Sequence, residues 1–138
     1  MNNIFFDNEI CTIWYNTGLQ AVETKWKGEY ASGKEFEEIH NAIIRCLAEN
    51  NASIIVADAT FMRVITSKDQ QWIVDDWYPR AIDDGFKYEA LITGNNSFNE
   101  ATIRNIVHHY DEDKIITRYF STYDEAVAWV KKIQHVRN

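Results

Sequence analysis

A carboxylate and two hydroxyls near the middle of the chain are the first residues that could do chemistry. Asp58 ends the apolar run 53–59 (SIIVADA), and Thr66 and Ser67 follow after a short loop. A carboxylate at a strand end can hold a ligand, a metal ion or a partner's base, but it more often bonds the next turn or pairs with a neighbour such as Arg63. The two hydroxyls can cap a helix or accept a phosphate, which the amides and dipole of a helix N-terminus tolerate. For all three residues the sequence favours the structural role.

The remaining reactive residues lack partners at a useful spacing. His108 and His109 are adjacent, so on a helix they point about 100° apart and cannot easily share one metal ion. Cys46 falls on the apolar stripe of a predicted helix and has no basic neighbour to lower its pKa. The chain contains no Gly-rich phosphate loop, no nucleophile elbow and no zinc-protease motif. The sequence predicts no cofactor and no metal site, and an enzyme that uses Asp58 with a hydroxyl or a histidine ranks last.

The composition predicts one globular domain. The chain has 138 residues, of which 46% are hydrophobic and 25% charged, and this length buries roughly two-thirds of the unfolded surface. The net charge of −7 argues against nucleic acid or an anionic membrane as the main partner. Neither a signal-peptide pattern nor an apolar run of the roughly 20 residues that span a bilayer is present. We expect a cytoplasmic protein in which Cys11 and Cys46 are free thiols.

The apolar run 53–59 organises the predicted fold. Its β-branched residues favour a strand that is buried on both faces at the centre of an α/β sheet. Residues 4–6 suggest an edge strand, and residues 9–16 and 19–27 favour an antiparallel hairpin. Between the hairpin and the run, a capping box at 32–35 predicts a helix that continues to about residue 50.

Helices and strands alternate after this run. A second capping box at 67–70 opens a helix that ends at Gly85, and Pro79 should kink it or change its register. A strand at 87–93, a third box at 97–100, a strand at 115–120 and a helix capped by Ser121 or Thr122 complete the order. This order predicts a single α/β domain with a mixed, mostly parallel sheet of about five strands, an N-terminal antiparallel hairpin and four helices.

The layout resembles the STAS fold of the anti-sigma-factor antagonists, and especially its bacterial STAS/Sec14-like relatives. The likeness spans nearly the whole chain and is carried by mostly structural segments: 26–28 (WKG), 54–58 (IIVAD), 77–81 (WYPRA) with Gly85, and 119–130 (YFSTYDEAVAWV).

The resemblance implies a non-catalytic switch that binds a protein partner. Well-understood STAS members are phosphorylated on a Ser or Thr in an Asp-Ser-Ser/Thr-Gly motif at the start of a helix. The matching region 64–69 (VITSKD) offers Thr66 or Ser67 as the phospho-acceptor, without the flanking Asp and Gly. The Sec14-like branch implies instead a lipid or another small apolar ligand.

Trp72 points to a contact surface. On a regular helical wheel it lies about 100° from Ile73, away from the apolar face, so it either contacts a partner or lies flat on a neighbouring loop. We therefore predict that a protein partner, with a second copy of the chain as one option, binds the surface from Arg63 to Trp72 and along the kinked helix to Arg80.

A ligand cleft is the alternative to the protein surface. The kink at Pro79 can open an apolar cleft lined by Trp77, Tyr78, Ile82 and Leu91. The residues predicted to bind a partner or ligand are then Asp58, Arg63, Ser67, Trp72, Trp77 and Arg80.

Overall fold

Six strands form one mixed sheet whose spatial order follows the order of the chain. The computed structural model describes residues 3–94 and 97–137, without the side chains of residues 97–99 and 136–137. The strands are β1 (Asn3–Asp7), β2 (Cys11–Asn16), β3 (Ala21–Trp26), β4 (Ile54–Asp58), β5 (Tyr88–Ile92) and β6 (Ile116–Phe120).

The direction of the strands changes at β3. β1, β2 and β3 pair antiparallel, whereas β3, β4, β5 and β6 pair parallel. The apolar run forms β4, which lies between β3 and β5 and buries Ile54, Ile55 and Val56. The mid-sheet position predicted for this run is confirmed, and the sixth strand is the predicted edge strand, β1.

Four helical segments cover the sheet, as predicted. They are α1 (Lys34–Glu49), a continuous segment made of α2 (Ser67–Trp72), a π turn (Ile73–Trp77) and α3 (Tyr78–Asp83), then α4 (Ser97–Val107) and α5 (Tyr123–Arg137).

Each face of the sheet has its own core. Ile55 and Leu91 belong to the larger core, which α1, the π turn and α4 cover. Their neighbours Val56 and Ile92 point to the other face and pack against α5. Successive residues of a strand alternate between faces, so a strand covered on both sides is apolar throughout.

The π turn is the register change that Pro79 predicts. The backbone N–H of Tyr78 bonds the carbonyl of Ile73, five residues back instead of four. A proline ring clashes with the carbonyl four residues before it in a regular helix, and the wider turn relieves that clash.

The caps of the first two helices differ from the predicted boxes. α1 starts after Gly33, and the buried Asp69 carboxylate accepts the Gly33 N–H, with both oxygens 3.3 Å away. Thr66, not Ser67, caps α2, because its backbone is extended and its Oγ1 accepts the N–H of Asp69 at 3.1 Å. Asp69 therefore ties the beginnings of α1 and α2 together.

The later helices follow the predicted pattern where side chains are described. Thr122 and Glu125 form a capping box, in which the Thr122 N–H bonds Glu125 at 3.2 Å and the Glu125 N–H bonds Thr122 Oγ1 at 3.3 Å. Of the box predicted at 97–100, the side chains of residues 97–99 lie outside the described residues. Gly85 ends α3 as predicted. Its N–H donates to the carbonyl of Ile82, and the N–H of Phe86 donates to the carbonyl of Ala81.

Gly85→Ala should destabilise the fold by about 1–3 kcal/mol. The φ angle of Gly85 is 106°, and an added Cβ would lie 3.2 Å from the carbonyl oxygen of Ala52. Gly18→Ala is the matched control, since Gly18 is not among the glycines with positive φ. Urea unfolding checks this prediction, and equal losses for the two variants would contradict it.

Candidate functional site

Asp58 is used by the turn that leaves β4. Its Oδ1 accepts the N–H of Thr60 at 3.1 Å, while Arg63 donates to the carbonyl of Gly28 at 3.2 Å. Of the roles that the sequence allows, Asp58 therefore takes the turn bond and has no ion pair with Arg63.

The loop after Asp58 exposes two apolar side chains. Phe61 is 62% exposed and Val64 is 52% exposed, whereas Ile65 between the loop and α2 is buried. Residues 59–68 also contain two basic residues, Arg63 and Lys68, and no acidic one. We call residues 59–68 the basic loop surface.

The two candidate phospho-acceptors have different surroundings. The hydroxyl of Thr66 is held by the cap of α2. Ser67 is exposed in the first helical turn, at the end of the basic loop surface. Of the two hydroxyls, that of Ser67 is the more accessible.

Trp72 is half-buried and packs against α1. Its ring meets the rings of Phe36 and His40 edge-on, with centroids 6.4 and 6.2 Å away. The guanidinium of Arg80 lies 5.9 Å from the Trp72 ring centre and is held by Asp76 at 2.7 Å. Trp72 therefore shares its side of the helical segment with the exposed residues Asp76 and Arg80, away from the buried Ile73.

A buried histidine lies at the centre of an aromatic cluster under Trp72. The ring of His40 contacts the rings of Phe36, Trp26 and Trp77, with centroids 4.3, 5.5 and 5.5 Å away. Burial lowers the pKa of His40 to about 4, so the ring is neutral at pH 7. Its Nδ1 lies 3.0 Å from the carbonyl oxygen of Phe36, which can only accept, so Nδ1 carries the hydrogen and Nε2 is an acceptor.

A cavity of about 70 Å³ lies between the sheet and the helices of the larger core. Trp77 and Leu91, two of the four residues predicted to line a cleft, line this cavity. Ile82 is not among the lining residues. Tyr78 is not among them either: it stacks on Tyr110 with ring centres 4.1 Å apart, and its hydroxyl accepts the Asp111 N–H. The kink therefore does not form the predicted cleft, and Trp77, which is 3% exposed, is not available to a protein partner.

Glu89 of β5 also lines this cavity and was missed by the sequence analysis. It is 8% exposed, and its carboxyl has no hydrogen-bond or ion-pair partner within residues 3–94 and 97–137. Burial raises its pKa to about 8. Its position in an apolar strand was the available signal, because every side chain of a strand covered on both faces is inside.

The two thiols are buried, on β2 and α1. Burial raises the pKa of Cys11 to about 12 and that of Cys46 to about 11, so neither is a thiolate at pH 7. Among the described residues, no group of three or more His, Cys, Asp or Glu side chains could hold a metal ion. No helix in the described part of the chain is long and apolar enough to cross a membrane.

Glu89→Gln should remove a loss of stability at alkaline pH. The pKa of Glu89 is raised from 4.5 to about 8 in the folded chain, so unfolding releases a proton between these values and stability falls as the pH rises. From pH 5 to pH 8, the wild type should lose about 2 kcal/mol or more relative to this variant. Urea unfolding at pH 5, 6.5 and 8 measures the difference.

Glu23→Gln is the matched control for this prediction. Glu23 is also a buried glutamate of the sheet, but its carboxylate accepts bonds from Asn16 at 2.6 Å and Tyr123 at 3.0 Å. Glu23→Gln disturbs these two bonds, so it should destabilise the chain instead of stabilising it at pH 8. A stability difference between wild type and Glu89→Gln that does not change with pH would contradict the prediction.

Comparisons with known proteins do not assign the chain to a family. No protein-family model matches it, and searches of curated proteins and of solved structures also found no match.

Proposed function

We propose that the protein is a non-catalytic, STAS-like regulatory module that binds a protein partner through the basic loop surface. The observation that carries this proposal is the exposure of Phe61 and Val64 on a loop whose backbone is held in place. Exposed apolar side chains grouped with polar ones are typical of interaction sites.

The loop is fixed at both of its sides. Asp58 bonds the N–H of Thr60, the N–H of Met62 bonds the carbonyl of Ala59, and Arg63 bonds the carbonyl of Gly28. These bonds, together with the burial of Ile65, keep the loop from folding its apolar side chains inward. A pre-formed apolar surface loses less entropy when a partner binds.

The charge of the surface favours an acidic partner. Residues 59–68 carry two positive charges in a chain whose net charge is −7. Complementary charges steer association and select the partner, and this contribution weakens as salt is added. We therefore expect the partner to present an acidic surface with an apolar centre.

Phosphorylation of Ser67 is the proposed regulatory input. A phosphate adds nearly two negative charges at pH 7, which would cancel the charges of Arg63 and Lys68. The position in the first turn of a helix tolerates the phosphate. The change in charge, and not unfolding, would then release an acidic partner.

Phe61→Ser combined with Val64→Ser should weaken partner binding at least about tenfold, because burial of these two side chains supplies the apolar contribution to the binding free energy. Ile4→Ser is the matched control, since Ile4 is 65% exposed on the edge strand β1. Immobilised wild type and variants are compared by capture from native lysate at low and high salt. The retained protein is then purified and titrated against each variant.

The proposal requires three results to agree. The retained protein should bind the wild type and Ile4→Ser with equal affinity. It should bind the double variant more weakly, and its affinity for the wild type should decrease at high salt. Its binding should also protect residues 59–68 from hydrogen exchange. Equal affinity for the wild type and the double variant would refute the proposed surface. Light scattering on the purified chain tests whether the partner is a second copy of the chain. If the wild type is a dimer and the double variant is a monomer, the partner is a second copy.

A further inference from the structure

The interior cavity contains polar groups that the fold itself does not satisfy. Glu89 has no partner for its carboxyl, and the hydroxyl of Thr24, which is 1% exposed, has no hydrogen bond among the described residues. The ring of His40, with Nδ1 bound to Phe36, presents Nε2 as an acceptor. All three residues line the same cavity, which is otherwise mostly apolar. Buried polar groups without partners are rare and call for a ligand, an ion or water.

We infer that this cavity is a binding site for a small primary amine in its protonated form. An ammonium group has three N–H donors and no acceptor. The cavity offers three acceptors for them: the Glu89 carboxylate, His40 Nε2 and the Thr24 hydroxyl oxygen. The proposal is independent of the basic loop surface and does not need a protein partner.

The charge of the cavity selects a cation. Glu89 is the only carboxyl among the lining residues, and no lysine or arginine lines the cavity. The ionisable groups in its surroundings are His40 on α1, near the charge of Asp69, then Tyr110 after α4, Tyr119 on β6 and Arg104 of α4, which lies 3.9 Å from the Tyr119 ring centre. Burial raises the pKa values of both tyrosines; the charge of Arg104 lowers that of Tyr119, and the charge of Glu89 raises both. A buried carboxylate without a counter-ion is unfavourable, and a bound ammonium would supply that counter-ion.

The walls fit the rest of such a ligand. The rings of Trp26, Trp77 and Tyr110 line the cavity and can face a cation with their negative π surfaces. The aliphatic residues that accept an alkyl body are Ile43, Ile55, Leu91, Ile103 and Ile106. The volume of about 70 Å³ is near half of the about 150 Å³ that admits benzene in an apolar cavity, so the ligand has about three heavy atoms.

Ethylamine and ethanol are a matched pair of probes for this site. They have the same shape, but only the amine is charged at pH 6 to 8. Each is titrated into the full chain at pH 6, 7 and 8, and binding is followed by backbone amide NMR shifts and by the fluorescence of the cavity-lining tryptophans. As the pH increases from 6 to 8, the affinity for ethylamine should increase about tenfold per pH unit, because Glu89 must lose its proton to pair with the amine, while the affinity for ethanol stays constant.

Three variants test the roles of the acceptors. Glu89→Gln should weaken ethylamine binding at pH 8 by at least about tenfold and leave ethanol binding unchanged. Thr24→Val should weaken the amine less, by about threefold to tenfold, because it removes a neutral acceptor. Glu23→Gln, on the other face of the sheet, should leave both probes unaffected.

The outcomes separate the proposal from the simpler occupants. Equal binding of both probes, with no effect of pH or of Glu89→Gln, would mean an apolar cavity without an amine site. NMR shifts confined to surface residues, or no shifts at all, would mean that water is the only hydrogen-bond partner of Glu89. Each of these outcomes would overturn the proposal. If Glu89→Gln does not fold, the pH dependence in the wild type and the Thr24→Val titration still decide.

Discussion

The rest of the structure depends on a sheet whose strands lie in the order of the chain. Three parallel connections run in the same direction across the sheet, from β3 to β4, from β4 to β5 and from β5 to β6. Because such connections are right-handed, all three place their helices on one face, and only α5 remains for the other. The strand order never reverses, so the edge beyond β4 lacks the crevice that forms at a topological switch point. The interior cavity lies instead between the sheet and the three-helix layer.

Most of the fold could be predicted because the local sequence agrees with the final structure. The apolar run before Asp58, the stripe of α1, the break at Pro79 and the end at Gly85 each correspond to an element or boundary that forms. The start of α1 could not be predicted from its own residues, because Asp69, which binds the Gly33 N–H, is distant in sequence. The start of α2 is local: Thr66 and Asp69 are three residues apart, as in a capping box, and lie one residue before the predicted box.

The candidate sites could be predicted only in part. The loop after Asp58 follows from the end of a central strand, although which of its side chains are exposed depends on the bond between Arg63 and Gly28. The contacts that Trp72 makes with α1 could not be predicted, because a helical wheel considers only one helix. Glu89 could have been found from its apolar surroundings alone. Its convergence with Thr24 and His40 could not, because the three residues lie on different elements that only the tertiary fold brings together.

The two buried sulfhydryls can report local opening of the structure around them. Cys11 belongs to the antiparallel ribbon and Cys46 to the first helix, and both side chains are wholly shielded from solvent. An alkylating reagent can therefore modify either one only during an excursion that opens the surrounding structure. A comparison of the two alkylation rates would show whether β2 or α1 has the lower free energy of local opening, without any label being introduced into the chain.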